Sequence, residues 1–176
     1  ERGMVGVYRA EYTRDASSLG DKPLPYLKDI LQPALDRMED HDILLWSNDD
    51  VQLRPEILDW AIDHVGIYGA ASMRRDSDHV GRDLVAGTKS WWTRLAYDPL
   101  IGAHQFDLLL AAIIRKERGV TSTIHNMRHD FYPCEYRTLI RHEPHQESWS
   151  PDSPSGRYNA SLFSQFLLET GINFWE

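Results

Sequence analysis

The sequence lacks several features that would each assign it to a class of protein. It has a single cysteine, Cys134, so no intrachain disulfide can form, and we expect a reducing, cytoplasmic location. No apolar stretch reaches the roughly 20 residues that a membrane-spanning helix needs, and no signal peptide is visible. We therefore expect a soluble protein without a membrane span.

The chain also lacks a run of basic residues. It has 19 Lys and Arg residues against 27 Asp and Glu residues, which gives a net charge of -8. An acidic surface repels a phosphate backbone, so the composition argues against a nucleic-acid partner. A small anionic ligand stays compatible with this charge, because a bound divalent cation reverses the local potential.

Two common catalytic motifs are missing as well. There is neither a glycine-rich loop that cradles phosphates nor the sharp turn that presents a nucleophilic serine. The stretch from His125 to His129 has the spacing of a zinc-peptidase helix, but Asn126 stands where the catalytic glutamate would be. These absences argue against a zinc peptidase, a P-loop enzyme and an enzyme with a serine nucleophile on such a turn.

What the sequence does contain is typical of one globular domain. Its 176 residues are 41% hydrophobic and 26% charged, which is enough to form a core and too apolar for a disordered chain. We predict a single domain over residues 1–176. The sequence leaves open whether an opening strand precedes Met4.

Hydrophobic periodicity predicts strands that alternate with helices. The predicted strands are 4–8, 42–47, 67–73, 83–87, 121–124 and 137–140, and the predicted helices are 26–38, 55–64, 89–96, 104–116 and 158–168, with 146–157 as a loop. Such alternation predicts an α/β layered domain with a mostly parallel central sheet and helices on both faces. Ligands of such sheets bind beyond the carboxyl ends of the strands.

An acidic triplet, Asn48-Asp49-Asp50, follows the apolar segment 42–47. Residues 48 and 50 can share one side of an extended chain, where an amide and a carboxylate oxygen would suit a hard cation with a nucleotide diphosphate. The alternative is a polar capping turn before the helix that Pro55 opens. The triplet alone does not decide between the two.

Two histidines, His142 and His145, follow the last predicted strand. Imidazoles can complete a metal site that a distant carboxylate begins, or they can be solvated residues of a polar loop. Asp107 lies in the first turn of an apolar helix, where it either compensates the helix dipole or accepts a proton in a pocket. Trp91 and Trp92 either stack on a sugar ring or belong to the core.

Taken in order, these segments resemble a GT-A-type glycosyltransferase domain. The strand that ends in Asn48-Asp49-Asp50 comes first, Gly81-Arg82-Asp83-Leu84 with Trp91-Trp92 follows, Ile101-Gly102 then precedes Asp107, and His142-x-x-His145 is last. The resemblance covers roughly residues 14–160 and is closest at 42–55, 80–110 and 138–149. It implies a GT-A-like, Rossmann-like layered fold.

The resemblance also implies roles for individual residues. Asp50 would hold Mn²⁺ or Mg²⁺, with His142 or His145 as the second protein ligand. The catalytic residues would be Asp107 and Asp83. Asp107 would be the carboxylate that serves as base in inverting members or that binds the acceptor, and Asp83 would lie near the donor sugar or the acceptor. The residues implied in binding the nucleotide-sugar are Asn48, which replaces the usual first aspartate, Asp49, Arg14, Lys28 and Asp29.

The function implied is metal-dependent transfer of a sugar from a nucleotide-sugar, most simply a UDP-sugar, to an acceptor hydroxyl. The acceptor would be a glycan, a protein or a small molecule. One alternative is a non-catalytic domain of the same fold that binds a carbohydrate or a protein. A further alternative is a metal-dependent phosphodiesterase built on Asp49, Asp50 and the histidines.

Overall fold

The computed structural model describes residues 26–47, 51–73, 84–95, 106–117, 140–142, 152 and 154–172. Within these ranges the chain forms five helices and five strands. In chain order they are α1 (Leu27–Leu35), β1 (Ile43–Ser47), β2 (Val51–Leu53), α2 (Ile57–Tyr68), β3 (Ala70–Met73), β4 (Leu84–Thr88), α3 (Lys89–Arg94), α4 (Phe106–Glu117), β5 (Ile140–His142) and α5 (Pro154–Thr170).

The described strands form two separate antiparallel sheets. The larger has three strands in the order β1-β4-β3, and the smaller pairs β2 with β5. In the larger sheet Ile43 lies opposite Thr88 and Ser47 lies opposite Leu84. In the smaller sheet Val51 lies opposite His142.

The predicted fold class, a GT-A-like or Rossmann-like layered domain with a mostly parallel central sheet, is therefore wrong. Both β1 and β3 run antiparallel to β4, so β1 and β3 point the same way but are not neighbours. After α2 the chain runs along β3 in the same direction as along β1, as the predicted alternation of strands and helices implies. β4 then enters between the two strands in the opposite direction, and no described pair of strands is parallel.

The core lies on both faces of the three-stranded sheet, because successive side chains of a strand point to opposite faces. On one face, Leu84 and Ala86 pack with residues of α2, of which Trp60 is 1% exposed. On the other face, Val85 packs with residues of α1, α3, α4 and α5. The strand β1 contributes to both, with Ile43 and Leu45 on the first side and Leu44 and Trp46 on the second.

Local sequence explains where two of these elements change. Gly69 ends α2 in the left-handed conformation at φ 78°, and its N–H donates to the carbonyl of Val65 at 2.7 Å; glycine adopts this conformation without a Cβ penalty. Thr88 caps α3, since its hydroxyl accepts the N–H of Trp91 at 3.2 Å, as an N-cap residue does.

The predicted elements differ from the observed ones mainly at their ends. Helix α2 continues to Tyr68 rather than ending at His64, and α5 begins at Pro154, inside the segment predicted as a loop. The strand predicted at 137–140 is observed at 140–142, and β2 was not predicted. The strands predicted at 4–8 and 121–124 lie outside the described residues.

Candidate functional site

The ends of three strands meet at one end of the larger sheet, and one of them, the end of β1, directly precedes the acidic triplet. Ser47, the last residue of β1, and Met73, the last residue of β3, both lie opposite Leu84, the first residue of β4. Residues opposite each other in an antiparallel pair have Cα atoms about 4.5–5.5 Å apart. Asn48 follows Ser47 in the chain and Asp83 precedes Leu84, so each is the chain neighbour of a residue at this end of the sheet.

The second sheet pairs the residue that follows the triplet with a histidine. Val51 lies opposite His142, and Asp50 directly precedes Val51. Consecutive Cα atoms are about 3.8 Å apart. The triplet therefore connects the two sheets, with the Ser47–Leu84 pair at one end and the Val51–His142 pair at the other. The pairing joins Val51 and His142, which lie far apart in the chain.

The start of α4 lies at this end of the sheet as well, where two aromatic rings are in contact. Phe106 meets Trp46 edge to face, with ring centroids 4.6 Å apart and planes at 89°. Trp46 is the penultimate residue of β1, and Phe106 is followed directly by Asp107. Asp107, predicted to be catalytic, is half-buried. It follows in the chain a residue that contacts the end of β1.

The two charged residues predicted on α1 are placed differently. Lys28 is exposed and Asp29 is half-buried, both in the first turn of the helix. α1 packs against α3. α3 begins at the end of the sheet that holds Ile43 and Thr88, and Ser47 lies at the opposite end. A nucleotide-binding role for these two residues stays a prediction.

Six of the predicted site residues lie outside the described part of the chain. They are Arg14, Asn48, Asp49, Asp50, Asp83 and His145. The backbone of His142 is described and its side chain is not. Their predicted roles stay predictions, and what the structure adds is the register of the strands to which they are joined.

The two adjacent tryptophans belong to the core, which decides between the two alternatives for them. Trp91 is 1% exposed and Trp92 is 3% exposed, and their rings meet edge to face at 4.8 Å. The indole N–H of Trp91 donates to Glu117 at 2.6 Å, and that of Trp92 donates to the carbonyl of Leu44 at 3.2 Å. Neither ring is available to stack on a sugar.

Sequence reasoning did not find the Trp46–Phe106 pair or the β2–β5 pairing. Both join segments far apart in the chain, and periodicity gives no information about such contacts. The only local signal for β2 was the alternation of Val51, Gln52 and Leu53, which is too short to distinguish from a turn.

The described residues contain no group of three or more His, Cys, Asp or Glu side chains that could hold a metal ion. The residues predicted to do so are a carboxylate, Asp50, and an imidazole, His142 or His145. This donor set suits a cation such as Mn²⁺ that keeps open positions for water or phosphate oxygens.

Comparison with protein families, with curated proteins and with solved structures finds no match to this chain. Among the described helices, none is long and apolar enough to cross a membrane.

Proposed function

We propose that this chain is a metal-dependent glycosyltransferase that moves a sugar from a nucleotide-sugar donor to an acceptor hydroxyl. The observation that carries the proposal is the register of the two sheets. The pairs Ser47–Leu84 and Val51–His142 lie on either side of residues 48–50. In this proposal the acidic triplet, which joins β1 to β2 in the chain, binds the ligand.

In this proposal Asp50 and His142 or His145 hold Mn²⁺ or Mg²⁺, and Asn48 and Asp49 contact the donor. When bound, the cation neutralises the charge that develops on the diphosphate leaving group. Asp83, which precedes Leu84 in the chain, is assigned to the donor sugar or the acceptor.

Asp107 accepts the proton of the acceptor hydroxyl. Its neighbour Phe106 contacts the end of β1, which supports a carboxylate on the same side as the donor. The proposal does not depend on a parallel sheet, because the ligand lies between strand ends that antiparallel pairing brings together.

A second function is a non-catalytic domain that binds a carbohydrate or a protein. The packing of α1 against α3 favours it. Lys28 and Asp29 lie on α1, and a donor bound at the other end of the sheet would not contact them. Such a domain would bind a ligand at the strand ends and release no nucleotide.

The test is a thermal-shift screen with UDP, UDP-glucose, UDP-galactose and UDP-N-acetylglucosamine, each with and without Mn²⁺. A ligand that binds only the folded state stabilises it by about 2.7 kcal/mol at a hundredfold excess over its Kd. We expect a rise in Tm that needs both nucleotide and Mn²⁺. Asp50→Ala abolishes the rise, and the matched control Asp63→Ala, which removes an exposed carboxylate of α2, retains it.

Release of UDP from the same donors separates the two functions. Turnover that requires Mn²⁺ and Asp50 supports the transferase. Binding without UDP release from any donor supports the binding domain. An unchanged Tm under every condition, or an identical shift in Asp50→Ala and Asp63→Ala, would rule out the proposed metal site.

A further inference from the structure

We draw no further inference here: the strongest candidate, the surface patch on α2 where Ile62 is 60% exposed and Ile67 is 72% exposed, carries nothing, because nothing in the part of the chain that the structure describes shows what covers it.

Discussion

Gly87, in the middle of β4, lies directly against the tryptophan pair of α3. A Cβ atom built at this position would be 2.5 Å from Cε3 of Trp91 and 3.1 Å from Nε1 of Trp92. Trp91 cannot move away easily, because it is 1% exposed and its indole N–H is bound to Glu117. The absence of a side chain at residue 87 is what allows α3 to lie on the sheet.

We predict that Gly87→Ala lowers the free energy of unfolding by about 1–3 kcal/mol, the usual cost of adding a methyl group to a filled core. The matched control is Gly66→Ala in α2, where a Cβ meets nothing within 4 Å. That change is expected to stabilise the protein by about 0.4–1 kcal/mol by restricting the unfolded chain. Urea denaturation measures both, and a Gly87→Ala variant as stable as the wild type would contradict the proposed crowding.

Glu117 joins two helices, which makes it the clearest polar link between elements. Its Oε2 accepts the indole N–H of Trp91 at 2.6 Å, and its Oε1 accepts a hydrogen bond from Nη2 of Arg94 at 2.8 Å. The last turn of α4 is thereby tied to the middle and the end of α3. Of these two bonds, the one to Trp91 is worth more, because that side chain is almost fully buried.

We predict that Glu117→Ala destabilises the fold by about 1–3 kcal/mol, since it leaves a buried indole N–H without its acceptor. Glu117→Gln keeps a carbonyl oxygen for that N–H and recovers most of the loss. Arg94→Ala serves as the control: the side chains of this ion pair are 64% and 32% exposed, and such pairs contribute about 0–1 kcal/mol. Chemical denaturation distinguishes them, and equal losses for Glu117→Ala and Arg94→Ala would refute the assignment to Trp91.

The whole molecule brings its first and last described helices together. Tyr158 of α5 has its pKa raised above 10.0, chiefly because burial disfavours the phenolate and secondly because the charge of Tyr26, next to α1, opposes it. Two segments far apart in the chain thus influence one ionisation. Their proximity depends on the complete fold.

This packing predicts a loss of stability in alkaline solution. A tyrosine whose pKa is higher in the folded state than in the unfolded state binds its proton more tightly when folded, so stability falls as pH rises above about 10, the unfolded value, through the higher folded pKa. Below that range Tyr158 contributes no pH dependence. Tyr158→Phe is expected to show a shallower alkaline decrease in the free energy of unfolding, and identical slopes in the two proteins would refute the effect.

The sequence predicted local structure well where one pattern dominated. The apolar segment 42–47 became β1, the apolar helix around residues 104–116 became α4, and the positions of α1 and β4 differ from their predicted bounds by a few residues. Helix α2 was predicted to end at His64, but histidine does not end a helix. The helix ends at Gly69, which has a positive φ. Short elements such as β2 have too few residues for a periodic signal.

The candidate site was predicted only as a set of separate segments. Nothing in the sequence pairs Val51 with His142 or brings Phe106 to Trp46, because both contacts depend on how distant segments pack. The resemblance to a glycosyltransferase supplied an order of motifs and a wrong sheet. The sheet was wrongly predicted because of the strand order. The alternation of strands and helices predicts the common direction of β1 and β3, but it does not predict that β4 lies between them.

The sequence by itself determined where most of the longer strands and helices lie, and that a polar triplet follows the apolar strand β1, because backbone propensity and side-chain period are local properties. Only the tertiary structure decided that β4 separates β1 from β3 and that β2 leaves the sheet to pair with β5. Those choices depend on which pairing covers the most apolar surface while satisfying the backbone hydrogen bonds, and that balance involves the whole chain at once.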